Sequence, residues 1–185
     1  HIIDMIDQVF KSNNKSRPPI HFFLDTAYTE KTQNDPTALL ACFYYENNLY
    51  IIDVDTVRMG LPELINYIQV FVQKNGYSFS SKIIIEPKAS GLSVIQTLRK
   101  VSKLNIIEAD APKDSKVTRV YAAQAFLESG RVFLIKGLWN DGYLLELTQF
   151  PNGAHDDQVD VTIMAREYFD KQNKLSIATL NYNRK

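Results

Sequence analysis

Residues 150–160 read Phe150-Pro151-Asn152-Gly153-Ala154-His155-Asp156-Asp157-Gln158-Val159-Asp160, a turn that delivers three carboxylates and an imidazole to the start of an apolar run over 161–169. An acid in the first helical turn is favoured by the helix dipole, and one side chain is enough to cap the end. Three acids within five residues exceed that need. On a helix Asp157 and Asp160 stand three apart and Asp156 and Asp160 four apart, so all share one broad face. Like charges crowded there repel unless a divalent cation sits among them. Two more carboxylates end apolar runs: Asp25 closes Ile20-His21-Phe22-Phe23-Leu24, and Glu86 closes Lys82-Ile83-Ile84-Ile85. Taken singly, each reads as a cap or a turn residue. Strands running side by side can bring such chain-end acids together in the crevice outside the strand ends. A cluster of oxygens suits Mg²⁺ or Mn²⁺, and two such ions about 4 Å apart can activate a water and stabilise the leaving oxygen of a phosphodiester.

The elements that must position these acids follow from the hydrophobic period. Residues 2–10 form a short amphipathic helix, followed by a polar loop to 19. Strands are predicted over 20–25, 37–45 and 49–57, the last two joined by Glu46-Asn47-Asn48, which makes an antiparallel three-strand meander. Between the first two, Asp35 precedes Pro36 and reads as a turn residue. A helix over 61–74 tolerates Pro62 in its first turn and stops at Gly76. The continuous apolar run at 82–86 predicts a strand covered on both faces. Helices follow over 92–102, 115–129 and 138–150, with a strand at 105–109 and a brief strand-like piece at 131–135. The acidic helix closes the domain at about 171, leaving a polar tail, 172–185, with a short added strand at 175–180. The expected fold is α/β: a mixed sheet, meander plus parallel strands, flanked by helices.

Composition bounds the reading. The chain has 185 residues, enough for one domain with a real core, and 45% hydrophobic content marks it as globular. The one cysteine, Cys42, lies in an apolar run, which rules out a disulfide framework and a cysteine zinc site and reads as a small buried hydrophobe. No apolar stretch reaches the roughly 18–20 residues a bilayer span needs, and the start lacks a signal-peptide pattern. Net charge is zero, yet residues 82–136 hold ten Lys or Arg against five Asp or Glu. A basic surface beside acidic clusters suits a metal-dependent site acting on a polyanion.

The ordered motifs resemble the nuclease domain of bacteriophage large terminases, a ribonuclease H-like fold. The matching pieces are Phe23-Leu24-Asp25-Thr26-Ala27, Asn34-Asp35-Pro36-Thr37-Ala38, Ile83-Ile84-Ile85-Glu86-Pro87-Lys88-Ala89-Ser90-Gly91, Lys116-Val117-Thr118-Arg119, Glu128-Ser129-Gly130-Arg131-Val132, and Phe150-Pro151 with His155-Asp156-Asp157-Gln158-Val159-Asp160. The resemblance implies a Mg²⁺- or Mn²⁺-dependent endonuclease, with two ions, that cuts concatemeric viral DNA. It makes Asp25 the central-strand metal ligand and Glu86 the second. The third falls to Asp156 or Asp157, with Asp157 preferred, and Asp160 is a further ligand or a supporting group. His155 would orient water or the scissile phosphate. Lys88, Lys116 and Arg119 would meet DNA phosphates, the last two sharing a helix face. Trp139 reads as a core or interface residue.

Implied partners are double-stranded DNA, the packaging ATPase domain, the portal and the small terminase subunit, in the host cytoplasm and away from any membrane. Nothing here matches a G-x-x-x-x-G-K-[ST] phosphate loop, so the expectation is a domain of a longer protein, with residues 1–19 as a linker remnant or short helix and 20–171 as the nuclease unit. Two other readings compete: a junction resolvase or other ribonuclease H-like nuclease, and a non-catalytic docking module whose acids are only caps.

Overall fold

The computed structural model describes residues 2–27, 36–111 and 114–182, without the side chains of 89, 116, 117 and 175–182. Six strands form one sheet: β1 (His21–Asp25), β2 (Thr37–Tyr45), β3 (Asn48–Val57), β4 (Ile83–Ile85), β5 (Ile106–Glu108) and β6 (Val132–Leu134), in the order β5-β4-β1-β2-β3-β6. β1–β2 and β2–β3 pair antiparallel, whereas β1–β4, β4–β5 and β3–β6 pair parallel. This is the mixed sheet expected from the sequence. The tight β2–β3 turn works because Glu46 and Asn47 both adopt positive φ, 48° and 64°, the twist that closes a two-residue hairpin.

Side-chain alternation divides the core between the two faces. Phe22, Leu24, Leu39, Ala41, Ile83 and Ile85 point to one face, covered by α1 (Ile2–Ser12), α2 (Leu61–Lys74) and α3 (Ala89–Val101). Phe23, Ala38, Leu40, Cys42 and Ile84 point to the other, covered by α6 (Asp157–Tyr182) with Tyr143 of α5 (Asn140–Gln149) and Phe126 of α4 (Lys116–Glu128). Cys42 is wholly buried there, as a small hydrophobe should be. Trp139 packs edge-on against Tyr143 at the entry to α5. No helix among the described residues is long and apolar enough to cross a membrane.

Two boundaries differ from expectation. α3 begins at Ala89 rather than 92, because the chain turns helical directly after Pro87 and Lys88. α6 runs on to Tyr182, so the separate tail and the added strand at 175–180 are corrected to helix: residues 171–182 contain neither Gly nor Pro to stop it. Asp35, read as a turn residue, falls outside the described residues.

Candidate active site

Strand parity brings the first two acids together. β1 and β4 run parallel with Leu24 opposite Ile85, so Asp25 and Glu86 are the next residues on neighbouring strands, which lie about 4.8 Å apart. Leu24 and Ile85 both face the α1–α2–α3 layer, so alternation turns Asp25 and Glu86 to the opposite face, beneath α6. The Glu86 N–H donates to the Leu24 carbonyl at 3.3 Å, extending the ladder by one residue.

Helix α6 supplies the rest. Its sheet-facing stripe is Val161, Met164, Ala165 and Phe169. Phe169 lies tilted against His21 at the start of β1 and Tyr168 meets it edge-on, with ring centroids 5.7 and 5.6 Å away. Stepping back nine residues to Asp160 covers about 13 Å at 1.5 Å per residue, matching the four-residue rise from His21 to Asp25 at about 3.3 Å each. Asp160 and Asp25 both act through their charge on Lys88, and Asp157, one turn before Val161, is buried.

A lysine sits among these acids. Lys88 Nζ donates to Glu86 Oε1 at 2.8 Å; the Glu86 side chain is 14% exposed and that of Lys88 74%. The hydrogen bond to Glu86 holds the ammonium above the ordinary lysine range, against some loss from burial, and the charges of Glu86, Asp25 and Asp160 add to it. Arg119 faces the same acids from α4 but is engaged differently. Its Nε and Nη2 donate to Glu167 Oε1 and Oε2 at 2.7 and 2.9 Å, a two-pronged pair. Glu167 raises its pKa first, with smaller contributions from Asp160 and Glu86. Lys116 opens α4 three residues before Arg119, but its side chain is outside the described set. His155 is half-exposed, with Nδ1 3.7 Å from Asp157 Oδ2.

Supporting contacts that the sequence did not reveal fix this arrangement. Gly91 lets α3 pass against the loop after β4: a Cβ there would stand 1.9 Å from the Glu86 carbonyl oxygen, and Ser90 Oγ donates to the Thr26 carbonyl. The buried Thr26 hydroxyl, one residue after Asp25, has no hydrogen-bond partner among the described residues. At the start of α6, capping is shared: the Asp156 carbonyl accepts from the Asp160 N–H at 2.9 Å, while Glu146 of α5 accepts from the Gln158 N–H at 2.6 Å and from its side-chain amide at 2.5 Å. Glu146 could have been suspected only from a partner helix, not from local spacing.

The side chains of Asp25, Glu86, Asp157 and Asp160 offer only oxygen donors, the type hard divalent cations prefer, and one of them, Glu86, is paired with the Lys88 ammonium. Among the described residues no three His, Cys, Asp or Glu side chains are gathered tightly enough to hold an ion as they stand. Of the acids, Glu86 pairs directly with Lys88, and Asp25 and Asp160 are near enough for their charges to act on it.

Residues 25–169 match the family described as the Terminase RNaseH-like domain. Among solved structures, the human cytomegalovirus terminase nuclease domain is 14% identical, covering 89% of this chain and 93% of that one, at a TM-score of 0.59. The large terminase nuclease domain of bacteriophage SPP1 with bound Mn is 20% identical, covering 81% and 86%, at 0.56. The large terminase of a thermophilic bacteriophage in complex with ADP is 15% identical, covering 80% of this chain and 39% of that one, at 0.58. No curated protein matches the sequence. The chain belongs to the terminase ribonuclease H-like domain family.

Proposed function

We propose that this terminase domain is a Mg²⁺- or Mn²⁺-dependent endodeoxyribonuclease that cuts concatemeric viral DNA during packaging. The observation that supports the reading is the β1–β4 register, which leaves Asp25 and Glu86 one residue beyond the Leu24–Ile85 pair, with Lys88 acted on by both and by Asp160 of α6. In this reading Asp25 and Glu86 are metal ligands, the third is Asp156 or Asp157, with the buried Asp157 preferred, and Asp160 is a further ligand or a supporting group. Bound divalent cations, two in this reading, supply Lewis acidity that acidifies a water and neutralises charge on the phosphate. The chain's own side chains do the positioning. Lys88 and Lys116 draw in the DNA backbone, Arg119 holds Glu167 and steadies the face of α6 that carries Asp160, and His155 orients water or phosphate beside Asp157.

The Mn-bound SPP1 relative supports divalent metal use. The ADP-bound relative from the thermophilic phage, of which this chain spans 39%, supports an ATPase domain as partner. Duplex DNA, the portal and the small terminase subunit complete the assembly in the host cytoplasm. The test is supercoiled plasmid with the protein in Mn²⁺ and in EDTA, alongside Asp25→Asn and Glu86→Gln. Nicking in Mn²⁺ only, absent in both variants, is expected. Full nicking by both folded variants would discard the assignment, and strong preference for four-way junctions or RNA–DNA hybrids would shift it to a resolvase-like substrate.

A further inference from the structure

Lys88 meets the Glu86 carboxylate from the solvent side. Its ammonium is hydrogen-bonded to Glu86 and within the field of Asp25 and Asp160, yet most of the side chain is in solvent. The side chain does not serve to hold α3, since Lys88 is the N-cap residue, with extended backbone, and makes no side-chain capping bond. Glu86 is the opposite case, largely covered and fixed by the Gly91 approach to its backbone. The pair is therefore one covered carboxylate and one exposed cation. An ammonium supplies a single positive charge and three donors, so it cannot draw several carboxylates into one coordination sphere as a doubly charged ion does.

We infer that Lys88 is the resting counter-ion of this site, and that metal loading is an exchange: the entering cation takes Glu86 from Lys88, the carboxylates close inward, and the released ammonium turns out toward the DNA phosphate. The exchange starts from the one contact Lys88 makes with these acids, the 2.8 Å pair with Glu86, with Asp25 and Asp160 acting on the ammonium only through their charge. It rests on the nuclease reading above and adds to it a reason for binding metal and DNA together. The ammonium freed by one becomes the contact for the other. Arg119 cannot perform this exchange, because both prongs of its guanidinium are held by Glu167.

The experiment is calorimetric titration of Mn²⁺ into the folded protein at fixed, low ionic strength, without DNA, comparing the native chain with Lys88→Gln, Lys88→Arg and Glu86→Gln. Removing the competing charge should tighten Mn²⁺ binding by about fivefold in Lys88→Gln, the scale of one exposed ion pair in a small network. Lys88→Arg keeps the competitor and should bind no more tightly than the native chain. Glu86→Gln should lose most of the affinity. Equal or weaker Mn²⁺ binding by folded Lys88→Gln overturns the exchange while leaving the metal reading intact. No Mn²⁺ binding by either the native chain or Lys88→Gln at millimolar metal overturns both.

Discussion

β1 is five residues long, and its two ends are treated in opposite ways by the same helix. At its start His21 is sealed by Tyr168 and Phe169 and uses Nδ1 to accept the Lys82 N–H at 3.0 Å. Burial, with some help from Lys82, pushes the imidazole down to about 4, so it is neutral and belongs to the core. At its far end Asp25 faces Glu86, Lys88 and the first turns of α6. The acids of the candidate site are gathered where the helix begins, since there the dipole favours anions and solvent can reach them, while the charged groups farther along α6, such as Glu167 and Asp170, are each matched by a cation. One strand and one helix thus make both a dry anchor and a charged mouth, and the anchor is what lets repelling carboxylates be held in place.

The sharpest way to break that contrast is at the charged end. Asp25→Asn or Glu86→Gln should lower Mn²⁺-dependent nicking by about a thousandfold or more, on the scale of losing a principal electrostatic contact in an active site, while thermal unfolding stays at or above the native temperature. A large fall in melting temperature would mean the acids hold the fold together. At the dry end the effect is on stability. His21 titrates near its ordinary 6.5 when unfolded and at about 4 when folded. The unfolded chain binds more protons between those values, so stability present in full above about pH 6.5 is lost as pH falls toward 4. The loss should approach about 2–3 kcal/mol, read from urea midpoints against pH, and be absent in His21→Gln.

The two cations above the acids sharpen the comparison further. Arg119 is 16% exposed and doubly bonded to Glu167, so Glu167→Ala should cost about 1–2 kcal/mol by leaving a partly buried guanidinium unpaired. Lys88→Gln should change unfolding by no more than about 0.5 kcal/mol, as for other exposed pairs. Equal losses in the two variants would remove the distinction between a doubly bonded, covered cation and an exposed one. Gly91→Ala tests the backbone beneath Glu86: with a Cβ at 1.9 Å from its carbonyl oxygen, the loop must move, and stability should fall by about 1–3 kcal/mol with Mn²⁺ affinity falling alongside.

Much of this is legible from residue order. Asp25 and Glu86 stand out as the first polar residues after apolar runs, and the period of 2 then fixes which face they take once the register is known. The meander is readable from Glu46-Asn47-Asn48, and the acidic helix start from the crowding at 156–160. The pairing of distant side chains is not readable. Arg119 with Glu167, Glu146 with the Gln158 amide, and Tyr143 with Thr162 at 2.8 Å join residues 48, 12 and 19 positions apart, distances at which local spacing is silent. Sequence alone puts Asp160 behind Asp157, because local spacing does not reveal that Asp160 and Asp25 both act on Lys88. The far end of α6 escapes a sequence reading because polar residues after Lys171 resemble a tail when their amphipathic face is weak.

β4 consists of three isoleucines in a row, all buried. Identical side chains cannot choose an alignment: slipped by one position, the strand would still fill both faces with the same shape, yet Glu86 would swing to the wrong side of the sheet, away from Asp25. The choice has to be made outside the strand. Before it, Lys82 donates its amide to His21 and accepts from Phe22; after it, Ser90 reaches the Thr26 carbonyl and Gly91 lies flat against Glu86. These small brackets act as the reading frame of the sheet, and they, more than the hydrophobic letters between them, decide whether this chain has an enzyme's face at all.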